Sequence, residues 1–221
     1  MRNKLTILIL IVLGVCMHAP KASAESFDYR MLKSINGIDS RFVTNYSKVF
    51  SNSFAYVSCG VPAGLIVYGL IQDDKKALQN GLWMTGALVA NGVVTLGLKY
   101  SVDRKRPFEA HPDGITLRGK REDSPSFPSG HTSFAFTTAT ALTLAYPKWY
   151  IIAPSYLWAA SVGFSRMQLG VHYPSDVLCG ALIGAGSAWL GYEVNKWWIK
   201  KHEAKKSKAS KDILQAYNFS Y

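Results

Sequence analysis

Five stretches without charged side chains constrain the fold of this chain more than any other feature. Residues 49–72 and 77–98 contain no Asp, Glu, Lys or Arg, and each is long enough to cross a bilayer as a helix, which takes about 20 residues. Residues 132–147, 149–165 and 177–192 are shorter and rich in Gly, Ala, Ser and Thr, which let helix backbones approach closely. The pattern predicts an all-α helical bundle, a polytopic membrane protein with about five transmembrane helices. A tightly packed soluble bundle is the alternative.

The N-terminus has the features of a secretory signal peptide. It starts with positive charge at Arg2 and Lys4, continues through apolar residues 5–17, and has small residues at 22–24, where a signal peptidase would cleave. We therefore predict a signal peptide over residues 1–24. An uncleaved anchor helix is the alternative.

A regular apolar spacing follows the predicted signal. Apolar side chains recur every three or four residues from Phe27 to Val49, which predicts a helix with one apolar stripe. Such a helix either lies on a membrane surface or packs against the bundle, and packing is the more frequent case.

Positive charge is concentrated at the C-terminal end. The formal net charge is +11, and residues 196–211 hold seven lysines against one acid, Glu203. We predict a domain over residues 25–195 and a basic C-terminal tail over residues 196–221. A basic balance permits a nucleic-acid partner, but no nucleic-acid motif with interleaved aromatic residues is present, so we predict no nucleic acid.

The order of the uncharged stretches predicts a membrane topology. If residue 25 lies outside, the loop at 72–80 lies inside, residues 99–131 outside, the turn at 147–149 inside and residues 165–176 outside. The basic tail then ends in the cytoplasm, as the bias of Lys and Arg towards that side expects. This path also brings the polar segments together on the outer face of the membrane.

Three cations stand at predicted helix ends on that face. Lys99 and Arg106 are seven residues apart, about two helical turns, so a helix that includes both can present them on one face, and Pro107 would stop that helix. Arg166 directly follows the fourth uncharged stretch. Guanidinium groups match the oxygens of a phosphoryl group and lysine adds a point charge. The alternative is that these side chains only extend towards the membrane surface.

The segment Pro-Ser-Gly-His at residues 128–131 introduces the third uncharged stretch. A helix that begins near His131 exposes free N–H groups and the positive end of its dipole, which together attract an anion. Ser129 either caps this helix or donates to a phosphate oxygen, and Gly130 permits close approach of the backbone.

A second histidine, His172, precedes Asp176 by one helical turn. The carboxylate can hold one imidazole nitrogen and leave the other free to react. With His131, two histidines allow one to attack phosphorus and the other to protonate the leaving oxygen. This scheme needs neither a metal nor another cofactor, and we predict none. The carboxylates available as metal ligands are scattered through one loop: Asp103, Glu109, Asp113, Glu122 and Asp123.

These motifs resemble, in order and without a departure, the three-part signature of the type 2 phosphatidic acid phosphatase superfamily. The likeness covers about residues 27–195. The residues that carry it are Lys99, Arg106 and Pro107, then Pro128 to His131, then Ser165, Arg166, His172 and Asp176.

The resemblance implies a role for each of these residues. His172 would be the nucleophile that forms a phosphohistidine, Asp176 would orient it, and His131 would be the general acid that releases the alcohol. The phosphate would be bound by Lys99, Arg106, Ser129, Gly130 and Arg166.

The superfamily includes membrane lipid phosphatases, soluble acid phosphatases and vanadate-binding haloperoxidases. The uncharged stretches favour the membrane branch, which implies a phosphorylated lipid substrate and a site on the periplasmic face of a bacterial inner membrane. Phosphatidylglycerophosphate, undecaprenyl diphosphate and lipid A phosphates stay open as substrates. A soluble periplasmic acid phosphatase and a lipid-binding protein without turnover are the alternatives. A basic loop is predicted either to bind a second anionic group or to be solvated; it carries His111, Arg118, Lys120 and Arg121.

Overall fold

The computed structural model describes the backbone of residues 21–218 and the side chains of residues 27–208. Its described part is all-α and contains no strand, which confirms the predicted fold class. Three of the five uncharged stretches lie wholly in helices, and residues 72 and 146–147 of the other two lie just beyond a helix end. The helices are α1 (Lys21–Asn36), α2 (Arg41–Ile71), α3 (Lys75–Val102), the short α4 (Pro107–Ala110), α5 (Gly130–Ala145), α6 (Trp149–Gln168) and α7 (Pro174–Asn218).

The apolar stripe from Phe27 to Val49 does not form one helix, so that expectation was wrong. The chain leaves the helix at Gly37, where an added Cβ would lie 2.8 Å from the Lys33 carbonyl oxygen. A new helix starts after Ser40, whose hydroxyl accepts a hydrogen bond from the Val43 amide at 3.4 Å. N-cap serine and a helix-terminating glycine outweigh the apolar spacing because each satisfies backbone groups at a helix end.

Most of the stripe faces outward. Phe27, Met31, Phe42 and Val49 are exposed. Helix α1 instead packs on the bundle through its opposite face, which buries Asp28, Leu32 and Asn36 at four-residue steps.

The exterior of the bundle is apolar, as a lipid-facing surface requires. Within the described chain, α2, α3 and α7 are long and apolar enough to cross a membrane. Large side chains such as Val67, Leu70, Val89 and Val93 are exposed, whereas α2 buries Ser47, Ser51 and Ser58. The chain is a polytopic membrane protein. The shorter α5 and α6 pack between the longer helices, and the total of five crossings stays a prediction.

Four helix ends meet at one end of the bundle. Helices α3 and α6 finish there, and α5 and α7 begin there, as the predicted topology requires. An added Cβ at Gly180 would lie 2.6 Å from the Ser129 carbonyl oxygen. Glycine is therefore needed where α7 crosses the start of α5.

Two predicted boundaries fall inside helices. Helix α7 continues without a break across residue 196, where the basic tail was expected to begin. Helix α1 begins at Lys21, so it continues across the predicted cleavage point after residue 24. The rest of the predicted signal peptide, residues 1–20, lies outside the described residues.

Candidate active site

Arg106 lies buried at the centre of the site. Its Nη1 donates to the Val171 carbonyl at 3.0 Å and lies 3.4 Å from Nε2 of His172. Its Nε donates to the Ser124 carbonyl at 2.8 Å, and its Nη2 donates to Oε2 of Glu122 at 2.7 Å. The guanidinium plane is therefore fixed beside the histidine.

Arg166 approaches from the end of α6 and shares a partner with Arg106. Its Nη1 donates to Ser51 Oγ at 2.7 Å, and its Nη2 pairs with Oε1 of Glu122. Its Nε is buried with no hydrogen-bond partner among the described residues. The two arginines thus hold one carboxylate between them, and a buried donor is left over for a further acceptor.

Glu122 is held in its charged form by this pair. Burial alone would raise its pKa, but the charges of Arg166 and Arg106 outweigh burial and lower the pKa to about 2. Each carboxylate oxygen takes one guanidinium, as two oxygens of a phosphate would. The position of this carboxylate therefore marks an anion site.

His172 and Asp176 are buried side by side at the start of α7. Nδ1 of His172 lies 3.6 Å from Oδ2 of Asp176, too long for a direct hydrogen bond. Ser126 lies between them, with Oγ donating to Oδ2 at 2.6 Å and 3.4 Å from Nδ1. The same Oδ2 accepts the Tyr173 amide at 2.9 Å. The carboxylate faces the imidazole as expected, with a serine hydroxyl as an additional partner.

The surroundings of His172 favour its neutral form. Burial and then the positive charges of Arg166, Arg106 and Lys99 hold its pKa well below 6.5. A neutral imidazole keeps a free lone pair. The nitrogen on the Arg106 side, Nε2, is therefore available as a nucleophile at neutral pH.

The start of α5 lies against the same pair of residues. The Ser129 amide donates to the Asp176 carbonyl at 3.0 Å, and its hydroxyl pairs with that of Thr132 at 2.9 Å, so it does not cap the helix. At Gly130 an added Cβ would meet only a methyl of Thr95, at 3.9 Å. Packing within the protein does not require glycine here. A glycine here places no side chain between the N-terminus of α5 and an approaching anion.

His131 and Lys99 complete the predicted set. The ring of His131 packs on that of Phe54, with centroids 3.7 Å apart, within electrostatic reach of Glu122 and Arg166. Lys99 is buried and its Nζ donates to the Pro125 carbonyl. The structure thus brings together all eight residues that the sequence predicts for the site.

Several residues of the site were missed at the level of sequence. Ser51 and Phe54 lie one turn apart in an uncharged stretch, with no motif to distinguish them. Ser126 and Glu122 lie in a loop whose path is set by tertiary contacts, and Glu122 was interpreted there as one of several scattered acids.

Two arginines of the basic loop form ion pairs with carboxylates of the protein. Arg118 pairs with Asp39 at 3.0 Å and Arg121 with Glu109 at 3.1 Å, and a second anion site in this loop stays a prediction. Among the residues that the structure describes, no cluster of three His, Cys, Asp or Glu could hold a metal ion. The absence of a cofactor stays a prediction.

Fold and site together describe a helical membrane protein in which two buried arginines share one carboxylate beside two histidines. Comparison with known proteins gives the family: the model of the PAP2 superfamily matches residues 80–200, and the chain belongs to that superfamily. It is a membrane phosphatase of the PAP2 type.

Similar proteins agree with this assignment. The undecaprenyl-diphosphatase of Sulfolobus acidocaldarius is 30% identical over 80% of this chain and 79% of its own length. The lipid A 4'-phosphatase of Bacteroides thetaiotaomicron is 28% identical over 76% of each chain. The crystal structure of a transmembrane PAP2 type phosphatidylglycerolphosphate phosphatase from Bacillus subtilis has a TM-score of 0.67 and 26% identity. It covers 87% of this chain and 96% of its own.

Proposed function

We propose that this protein removes a terminal phosphate from a membrane lipid through a covalent phosphohistidine on His172. The observation that carries the proposal is the pair of buried arginines, Arg106 and Arg166, which hold one anion position directly beside Nε2 of His172. The site lies at the end of helices with apolar outer faces, where a lipid headgroup would stand.

Binding would replace the Glu122 carboxylate with the substrate phosphate. Arg106 and Arg166 would each donate to a phosphate oxygen, and the unpartnered Nε of Arg166 would supply a further donor. Lys99 and the N-terminus of α5 at Ser129 and Gly130 would add positive potential. Fixed donors of this kind stabilise the charge that develops in the transition state.

The reaction would follow in two steps. Nε2 of His172 attacks phosphorus and a P–N bond forms while the bond from phosphorus to the lipid oxygen breaks. His131 gives its proton to that oxygen, so the lipid leaves as an alcohol or a monophosphate. Water then attacks phosphorus while the neutral His131 takes a proton from it, and the P–N bond breaks, which releases inorganic phosphate and restores the protonated His131. Asp176 holds the orientation of His172 throughout.

The substrate would be a lipid that ends in a phosphate monoester or a diphosphate. Similar proteins are named for undecaprenyl diphosphate, lipid A and phosphatidylglycerophosphate, the same three lipids that stay open here. We place the site on the periplasmic face of the inner membrane. The support is the basic segment after residue 196, which belongs on the cytoplasmic side at the opposite end of α7 from the site.

The experiment is phosphate release by detergent-purified protein with EDTA present. The substrates are the three lipids and a soluble chromogenic monoester, and His172→Ala is the control. We expect selective turnover of one lipid that is lost in the variant. Preference for the soluble ester would favour the activity of a soluble acid phosphatase. No phosphate release from any of the four substrates would contradict the proposed function.

The same assay in intact spheroplasts tests the orientation. A charged chromogenic ester that does not cross membranes reaches only a periplasmic site. We expect the ester to be hydrolysed slowly. The rate that is lost in His172→Ala should be equal in intact and lysed spheroplasts. Turnover that appears only after lysis would place the site in the cytoplasm.

Glu122→Gln provides a separate test of the anion position. Glutamine keeps the shape of the side chain but removes the charge that competes with phosphate for the two arginines. We expect inorganic phosphate and orthovanadate to inhibit this variant at about tenfold lower concentration, which is about 1.4 kcal/mol. Glu109→Gln, in the short helix α4 before this loop and paired with Arg121, is the control and should behave as wild type. Weaker inhibition in Glu122→Gln would mean that the carboxylate does not occupy the anion position.

A further inference from the structure

We propose that Asp28 and Arg104 are positioning residues that tie helix α1 to Asp176 and so hold its carboxylate against His172. The inference rests on the proposed role of His172. It adds a residue from the N-terminal helix to the site, outside the residues 80–200 that match the family.

Asp28 connects α1 to the start of α7. It is buried on the inner face of α1. One carboxylate oxygen accepts the Ser175 amide at 3.0 Å, and the other accepts the Ser175 hydroxyl and Nη2 of Arg104, the latter at 3.0 Å. A negative charge at the N-terminus of a helix is stabilising, so Asp28 caps α7 from a different element.

Arg104 continues this connection to Asp176. Its Nη1 donates to Oδ1 of Asp176 and to the Ser175 hydroxyl, both at 2.7 Å. Its guanidinium carbon lies 3.8 Å from the centre of the Tyr173 ring. The stacked, planar fork is therefore fixed between two carboxylates, a geometry that lysine cannot reproduce.

The two oxygens of Asp176 are consequently divided between different tasks. Oδ1 is occupied by Arg104, and Oδ2 faces His172 with Ser126 and the Tyr173 amide as partners. Without Arg104 the carboxylate could rotate about its last bond and turn away from the imidazole. Arg104 and Asp28 therefore act on catalysis through Asp176.

Helix α1 does not need Asp28 to stay docked. Leu32 is fully buried in a cluster with Phe108 and Leu169. Asn36 donates to the carbonyls of Thr116 and Gln168 at 2.9 and 2.8 Å. We therefore expect the bundle to keep its fold when the charge of Asp28 is removed.

The test is Asp28→Asn, measured in the wild-type and Asp176→Asn backgrounds. We expect kcat to fall about tenfold in the wild-type background, within the range of interaction free energies between residues in contact, with KM nearly unchanged and only a small loss of thermal stability in detergent. In the Asp176→Asn background the same substitution should have no further effect, because coupled residues are not additive. Asp39→Asn, which removes an exposed partner of Arg118 in the connection that follows the same helix, is the matched control.

Arg104→Lys provides a second variant should Asp28→Asn fail to fold. It keeps the charge but not the fork, and we expect the same loss of kcat and the same dependence on Asp176. Unchanged kcat in the folded variants, or an equal loss in both backgrounds, would overturn the positioning pair. The His172→Ala control separates the two proposals. Turnover that survives His172→Ala overturns the proposed function and this role with it, whereas turnover lost there but kept in Asp28→Asn overturns the positioning pair alone.

Discussion

Replacement of His172 with alanine is expected to reduce lipid phosphate release by at least about 10³-fold, because a covalent nucleophile cannot be replaced by its neighbours. The imidazole is buried between Arg106 and Asp176. The measurement is kcat on the lipid selected by the panel, in detergent and with EDTA present.

The wild-type protein should also trap a phosphoryl group on His172. Acid-labile, base-stable incorporation of labelled phosphate is expected in the wild type and absent in His172→Ala. Because the pKa of His172 lies well below 6.5, the neutral nucleophile persists as the pH falls through 6.5. The fall of kcat/KM towards acid pH should therefore have its midpoint below pH 6.5. Labelling that persists in the alanine variant would identify a different nucleophile.

Replacement of Arg166 with lysine is expected to reduce kcat/KM by about 10²-fold, the cost of one lost donor to a developing oxyanion. Lysine keeps the charge, but one ammonium cannot donate to Ser51 and to two phosphate oxygens together, as the three guanidinium nitrogens can once the phosphate has replaced Glu122. The geometry of the fork, more than the charge, should account for the loss. The measurement is kcat/KM on the same lipid.

Arg121→Lys is the matched control for this substitution. Arg121 is two-thirds exposed and pairs with Glu109, so the same chemical change there should leave kcat/KM within about twofold of wild type, as surface ion pairs contribute little. Thermal stability in detergent shows whether Arg166→Lys still folds. A folded Arg166→Lys with wild-type kcat/KM would mean that the phosphate does not contact this side chain.

Much of the fold could be predicted from the sequence because it depends on local patterns. The absence of charge over residues 49–72 and 77–98 predicts helices, and the structure has α2 and α3 there. The prediction failed between Phe27 and Val49, where the end of α1 at Gly37 and the cap at Ser40 interrupt an otherwise regular apolar spacing. Periodicity reports which face is apolar, but backbone capping decides where a helix ends.

In the candidate site, too, some residues could be predicted from local patterns and others could not. The eight predicted residues belong to short motifs, and the order of the helices predicted that the motifs would meet. The partners of these residues carry no such pattern. Glu122 was counted among scattered acids, yet it joins Arg106 to Arg166.

The sequence by itself determined the helical class, the membrane character, the family and the residues that contact phosphate in the proposal, since each follows from local composition or a motif. The tertiary structure decided which groups surround those residues. Asp28 lies 147 positions before Ser175 and Ser51 lies 115 before Arg166. Contacts over such separations depend on which buried polar groups need a partner once the helices have packed, and no local spacing encodes that requirement.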